Sequence, residues 1–340
     1  VPIIWSALLT SLLASTIITM SSNHWLLCWC GLELNTLSIL PAIMKSHHPR
    51  ATEAATKYFL IQVAAATLIL LASTMNAWHT GQWSISHTTP ATTLLATLAI
   101  MLKLGAAPTY MWYPNVLQGT TMNTALLIST WQKLAPLTLL YMTHSHLNHT
   151  TLLLLGLMSA TIGGVGGLNQ TQTRTIMAFS SIAHMGWLIT AIALSPSLTT
   201  LTMMMYTVIT TATFLPLATT TKNLADIGTT WPLSPATLTT TMMTLMSLGG
   251  LPPLTGFMPK WLILKELSSA KLPLLATLLL MASLPSLYFY MAYLTMFTVA
   301  PTTTNSEYKW RKKVNQTKHI APTIMTFMLL LPMTMTLYAT

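Results

Sequence analysis

Five ionisable side chains interrupt otherwise apolar stretches of the sequence: Glu33, Lys103, Lys133, His184 and Lys260. A charge at the centre of a membrane helix costs about 2.5–3.5 kcal/mol on insertion scales, so such residues face a protein interior or water and mark ion or proton pathways. Lysine suits proton exchange, because an amine taken out of water can become neutral near physiological pH and a guanidinium cannot. Moving one charge against ~180 mV requires about 4 kcal/mol. At about 1.36 kcal/mol per pKa unit, a swing of roughly three units in one carrier suffices. His184, with Ser180 and Ser181 beside it, would add titratable and hydroxyl groups to such a path. Each residue also has a structural reading. Glu33 and Lys103 would form a static ion pair, His184 would be a satisfied core histidine, and Lys133 and Lys260, close to Pro136 and Pro259, would snorkel to an interface.

The elements that hold these residues follow from composition. Hydrophobic residues make up 52% of 340 positions and charged residues 6%, against roughly 25% charged in a soluble domain. Apolar runs of helical length occur at about 3–20, 24–44, 57–78, 91–110, 122–142, 151–168, 174–194, 198–219, 236–267, 273–298 and 320–338. The fold class is therefore all-α, a polytopic membrane protein of about eleven transmembrane helices in a single domain. The long ninth run reads as one broken helix or two short ones. Residues 104–108 (Leu-Gly-Ala-Ala-Pro) and 248–252 (Leu-Gly-Gly-Leu-Pro) interrupt the fourth and ninth spans with glycine and proline. An offset of five spans reverses orientation, as in inverted repeats whose broken helices line ion sites at mid-membrane.

Charge distribution gives the orientation. Lys45, Arg50 and Lys57 follow the second span, Arg174 the sixth and Lys222 the eighth, while Lys309, Arg311, Lys312, Lys313 and Lys318 follow the tenth. These loops all fall on one side, which the amino terminus shares, while the opposite loops hold little beyond Lys265, Glu266 and Lys271. The formal charge of +10 is thus a topology signal, and nucleic-acid binding is not expected. Cys28 and Cys30 point to different faces of one helix, so neither a mutual disulfide nor a thiolate metal site is expected. His144, His146 and His149 lack acidic or cysteine partners and read as a solvated loop. Without four thiolates or a glycine-rich nucleotide loop, no metal, cofactor or electron chemistry is expected in this chain.

Several strings occur together: SSNHW and GLELNTLSILP around Glu33, HHPRATEAATKYFL at 47–60, MLKLGAAP around Lys103, TWQKLAP around Lys133, GGLNQTQ at 166–172, FSSIAHMGW around His184, and SLGGLPPLTGFMPKW through Lys260. In this order and over essentially the whole chain, they resemble the mitochondrial NADH dehydrogenase subunit 2 family of respiratory complex I, in a vertebrate form. The resemblance implies a proton-translocating membrane-arm subunit of NADH:ubiquinone reductase, resident in the mitochondrial inner membrane with its amino terminus on the matrix side. It implies antiporter-like inverted five-helix repeats, one over about 3–142 and one over about 151–298, with a final helix at about 320–338. It places a proton relay on Glu33, Lys103, Lys133, Lys260 and His184, within which we expect Glu33 and Lys103 to act as a charge-switched pair. FMN, iron–sulfur clusters and ubiquinone are then expected in partner subunits. The partners are other complex I subunits, including neighbouring antiporter-like membrane subunits, and membrane lipids. The chain departs from the family pattern at Tyr110, Asn115, Thr175 and Ala292, where titratable groups are usual. Two rivals remain: an autonomous cation/proton antiporter of the same architecture, and a structural spacer whose lysines are static.

Overall fold

A computed structural model describes residues 2–44, 48–220, 235–252 and 254–298. Every regular element among them is helical, with no strand beyond an isolated bridge between His24 and Ser84. Seven of the described helices are long and apolar enough to cross a membrane, so the chain is a multi-pass helical membrane protein. Its hydroxyl-bearing residues fit this solvent. Thr244 donates to the Thr241 carbonyl and Thr190 to the Trp187 carbonyl, and many other Ser and Thr side chains return to a carbonyl three or four residues back. This local bond lets a polar side chain lie in an apolar environment without a distant partner.

The chain divides into two compact units, Val1–Leu155 and Gly156–Thr340. Unit 1 contains α1 (Pro2–Ser21), α2 (Trp25–Ile43), α3 (Pro49–Thr80), α4 (Pro90–Leu104), α5 (Trp112–Gly119), α6 (Met122–Ser129) and α7 (Trp131–Met142). Helix α3 packs against α2, α4 and α5, and α7 packs against α1, α2 and α4. Prolines begin α3 and α4 at positions where the missing N–H costs nothing. Helix α3 starts earlier than expected: its 32 residues span roughly 48 Å at about 1.5 Å per residue, more than the ~30 Å hydrocarbon core. Arg50 and Lys57 therefore ride on its first turns instead of a preceding loop, and Lys57 pairs with Glu53 one turn away.

Unit 2 contains most of α8 (His149–Gly166), which begins in unit 1, then α9 (Thr173–Leu194), α10 (Pro196–Thr220), α11 (Pro235–Gly249), α12 (Phe257–Ser269) and α13 (Pro273–Thr298). Helix α10 packs against α9, α11 and α12, and α13 packs against α11 and α12. Close approach between α8 and α9 depends on glycine. A Cβ on Gly186 would stand 2.6 Å from both the Ala160 nitrogen and the Gly156 oxygen, and one on Gly163 would overlap the Ala183 backbone. Small residues let membrane helices pack backbone to backbone in this way.

Three of the expected spans are broken. The fourth stops at Leu104 and does not run on to about residue 110, because Gly105 adopts φ 67°. There the Ala106 N–H reaches the Met101 carbonyl and the Gly105 N–H the Leu102 carbonyl, the bond pattern of a Schellman cap. The ninth run divides into two short helices by the same pattern. Gly250 at φ 82° sends its N–H to the Ser247 carbonyl, and Leu251 sends its own to Met246. The fifth span divides into α6 and α7 at Thr130, where neither glycine nor proline stands. Pro136, one turn inside α7, has no N–H for the Gln132 carbonyl, which loosens the turn directly after the break. The eleventh expected span and the basic residues 309–318 and Lys222 lie outside the described residues.

Candidate functional site

In unit 1, α2, α3, α4 and α7 enclose a polar cavity with room for roughly one water molecule. Its polar lining includes Asn35, Tyr58, Gln62, Lys103, Gln132 and Lys133. The two lysines that the sequence singles out thus share one cavity. Lys103 is 6% exposed and Lys133 is 2% exposed, so neither snorkels. Lys103 is held in the last turn of α4 immediately before the Schellman cap, and two side chains secure that end. Trp112 Nε1 donates to the Leu102 carbonyl at 3.1 Å, and Gln62 Nε2 donates to the Lys103 carbonyl at 3.3 Å. Lys133 stands one turn ahead of Pro136, with its Nζ 4.8 Å from the centre of the Tyr113 ring, a cation–π contact.

Glu33 is half-buried on α2 and does not line this cavity. Its Oε2 and the Lys103 Nζ are both buried without a hydrogen-bond partner among the described residues. No ion pair within 4.0 Å joins them, so the static pair of the structural reading is not formed. Helices α2 and α4 each pack on α3. What does cross from α2 to α7 is an amide link. Gln132 Nε2 donates to Asn35 Oδ1 at 3.3 Å and to the Asn35 carbonyl at 3.5 Å. Ser15 of α1 shares its one hydroxyl hydrogen between the Leu12 carbonyl at 2.9 Å and the same Oδ1 at 3.4 Å, and the Tyr58 hydroxyl of α3 donates to Gln132 Oε1 at 3.4 Å. These neutral residues were not singled out in the sequence, although Asn35 and Gln132 sit inside the strings around Glu33 and Lys133. An amide in an apolar run was the available signal.

Unit 2 holds a second, somewhat larger cavity, where His184 and Trp187 of α9, Thr202 and Tyr206 of α10 and Lys260 of α12 converge. The His184 ring lies 5.7 Å from that of Tyr206, tilted by 48°. Lys260 is half-buried, and its Nζ donates to the Gly249 carbonyl at 2.8 Å. That carbonyl ends α11, where unpaired acceptors and the negative end of the helix dipole favour a cation. The turn at Gly250 brings the lysine back over the helix end: a Cβ there would lie 3.0 Å from Lys260 Nζ. Nζ also stands 5.8 Å from the Trp187 ring. Both expected residues of this unit therefore share one cavity.

Tyr110, Asn115, Thr175 and Ala292 line neither cavity. Thr175 is buried, and its hydroxyl returns to the Gln172 carbonyl at 2.8 Å. Cys28 is buried and Cys30 exposed, both as free thiols. Among the described residues, no group of three or more His, Cys, Asp or Glu could hold a metal ion.

A family model described as NADH:quinone oxidoreductase/Mrp antiporter, TM, matches residues 22–286. The chain is 50% identical over 338 residues to NADH-ubiquinone oxidoreductase chain 2 of Carassius auratus, covering 98% of this chain and 97% of that protein. It is 52% identical over 306 residues to the protein of the same name from Struthio camelus, covering 89% and 88%. Among solved structures it resembles a chain of respiratory complex I from Thermus thermophilus, with a TM-score of 0.82 at 24% identity, covering 95% of this chain and 77% of that one. A chain of the Mrp complex from Dietzia sp. DQ12-45-1b gives a TM-score of 0.81 at 18% identity, covering 88% and 61%. The last two likenesses concern fold, and the first three reach sequence as well. This chain therefore belongs to the NADH:quinone oxidoreductase/Mrp antiporter transmembrane family, among its NADH-ubiquinone oxidoreductase chain 2 members.

Proposed function

We propose that the chain is a proton-translocating subunit in the membrane arm of respiratory complex I, resident in the mitochondrial inner membrane with its amino terminus in the matrix. The observation that carries this reading is the burial of Lys103 and Lys133 on one cavity of polar groups. Two amines placed there are costly to keep as static charges and well placed to exchange a proton. Glu33 biases Lys103 through space, Lys133 receives the proton, and Lys260 with His184 serves the second cavity. NADH oxidation and ubiquinone reduction, with their FMN and iron–sulfur clusters, belong to partner subunits. Neighbouring antiporter-like subunits and lipids surround the chain. The two Schellman-capped interruptions are the corresponding elements of inverted repeats over about 3–142 and 151–298.

Gentle solubilisation of the native membrane tests the assignment. The chain is expected to co-migrate with NADH-oxidising activity in one large assembly. A free chain, with that activity elsewhere in the same membrane, would instead favour an autonomous cation/proton antiporter.

Lys260 separates a relay from a spacer. Lys260→Gln keeps a neutral N–H that can reach the Gly249 carbonyl, but it cannot carry a proton at physiological pH. The assembled enzyme should retain its amount within about twofold, a loss of one hydrogen bond being worth only ~1 kcal/mol. Proton uptake per NADH oxidised should fall. Uptake equal to the parent enzyme's would assign Lys260 to capping α11 alone.

A further inference from the structure

We propose that Gln132 and Asn35 act together as a positioning clamp that ties Lys133 to the helix carrying Glu33. The inference rests on the proton-translocating reading above and assigns the two amides a role within it. Glu33 and Asn35 lie two residues apart on α2, and Gln132 and Lys133 are adjacent at the start of α7. The helix that carries the carboxylate and the turn that carries the lysine thus connect through one pair of side chains. The link has three anchors besides itself: Ser15 on α1 bonds the Asn35 Oδ1, Tyr58 on α3 bonds the Gln132 Oε1, and the Asn35 carbonyl takes a second bond from Gln132.

Two physical features favour positioning over proton carriage. Primary amides neither gain nor lose a proton near physiological pH, so the link transmits geometry instead of charge. Its bonds are also long, between 3.3 and 3.5 Å, beyond the usual 2.9–3.0 Å or so of a well-formed N–H···O contact. A clamp made of such bonds can stretch or release at small cost. The start of α7 can yield with it, because Thr130 breaks the helix before Gln132 and Pro136 removes the N–H that would have bonded the Gln132 carbonyl. A displacement of α2 that accompanies a change of charge on Glu33 would therefore reach Lys133 as a change in its place on the cavity wall and over the Tyr113 ring. No direct ion pair is required.

The test exchanges the two lengths. Gln132→Asn shortens one partner and Asn35→Gln lengthens the other, whereas the double exchange restores both the amide pair and its total reach. Each variant is examined in the assembled complex, in sealed membrane vesicles, for protons translocated per NADH oxidised and for the pH profile of that ratio. Either single change should lower the ratio by about twofold or more and displace its pH profile. The double exchange should recover both, since residues that act as one unit are strongly non-additive. Parent-like ratios and profiles in both single variants would overturn the clamp, as would a double exchange no better than the worse single. If a single variant does not assemble, Tyr58→Phe removes only the hydroxyl that steadies Gln132; a displaced pH profile supports the clamp and an unchanged one overturns it. Lys133→Met, run in parallel, separates the two levels of inference. Parent-like pumping there would defeat the relay itself, and lost pumping there with parent-like amide variants would defeat only the clamp.

Discussion

Replacing Lys133 by methionine is expected to abolish the share of proton translocation that passes through this subunit while leaving the complex assembled. The side chain is almost wholly buried, and methionine follows its stem out to the ε position without the charge. Removing a buried charge also removes the cost of keeping it out of water, so loss of function would not be confounded with loss of fold. Protons taken up per NADH oxidised, followed in sealed vesicles, should drop by this subunit's contribution. If the pumping subunits turn over in step, NADH oxidation itself should slow by about tenfold or more, corresponding to at least ~1.4 kcal/mol on the barrier. An assembled enzyme with parent-like pumping and turnover would mean that Lys133 is a structural cation resting on Tyr113.

Gly163→Leu should have the largest effect on stability. Its Cβ would lie within overlap distance of the Ala183 nitrogen, 2.7 Å from the Ala183 Cα and 2.8 Å from its Cβ. Backbone atoms cannot rotate aside as a flexible side chain can, so α8 and α9 would have to separate. Overpacking of this kind costs roughly 1–3 kcal/mol, and more where backbones must move. The expected outcome is a marked loss of assembled complex on native gels and inactivation at lower temperature, with Gly163→Ala intermediate. Normal assembly of the leucine variant would show that the two helices are free to part.

The sequence displayed the spans well because lipid makes apolar length and proline starts strong signals. The expected run at 174–194 corresponds to Thr173–Leu194, and that at 273–298 to Pro273–Thr298. Two of the three breaks were also visible, since Gly105 and Gly250 are residues that a left-handed turn requires. The break at Thr130 carries neither glycine nor proline and was hidden. Charges were legible for the same reason as the spans: a lysine in an apolar run is conspicuous. Neutral amides and phenols are not, and the link through Asn35, Gln132 and Tyr58 emerges only once three helices bring them together. The absence of a Glu33–Lys103 ion pair was equally unreadable, because distance between α2 and α4 depends on α3 packing against both.

The narrowness of the unit 1 cavity has a consequence for which cations can follow the path. A sodium or potassium ion leaving water must exchange its hydration shell for a ring of protein oxygens, as in a selectivity filter. A space with room for roughly one water molecule places two amines beside any dehydrated cation that entered it. A proton needs only a neighbouring lone pair and travels without a shell. In the proton-translocating reading proposed above, the unit 1 cavity would therefore disfavour alkali metal ions, which would have to shed their shells beside two amines, and favour a proton.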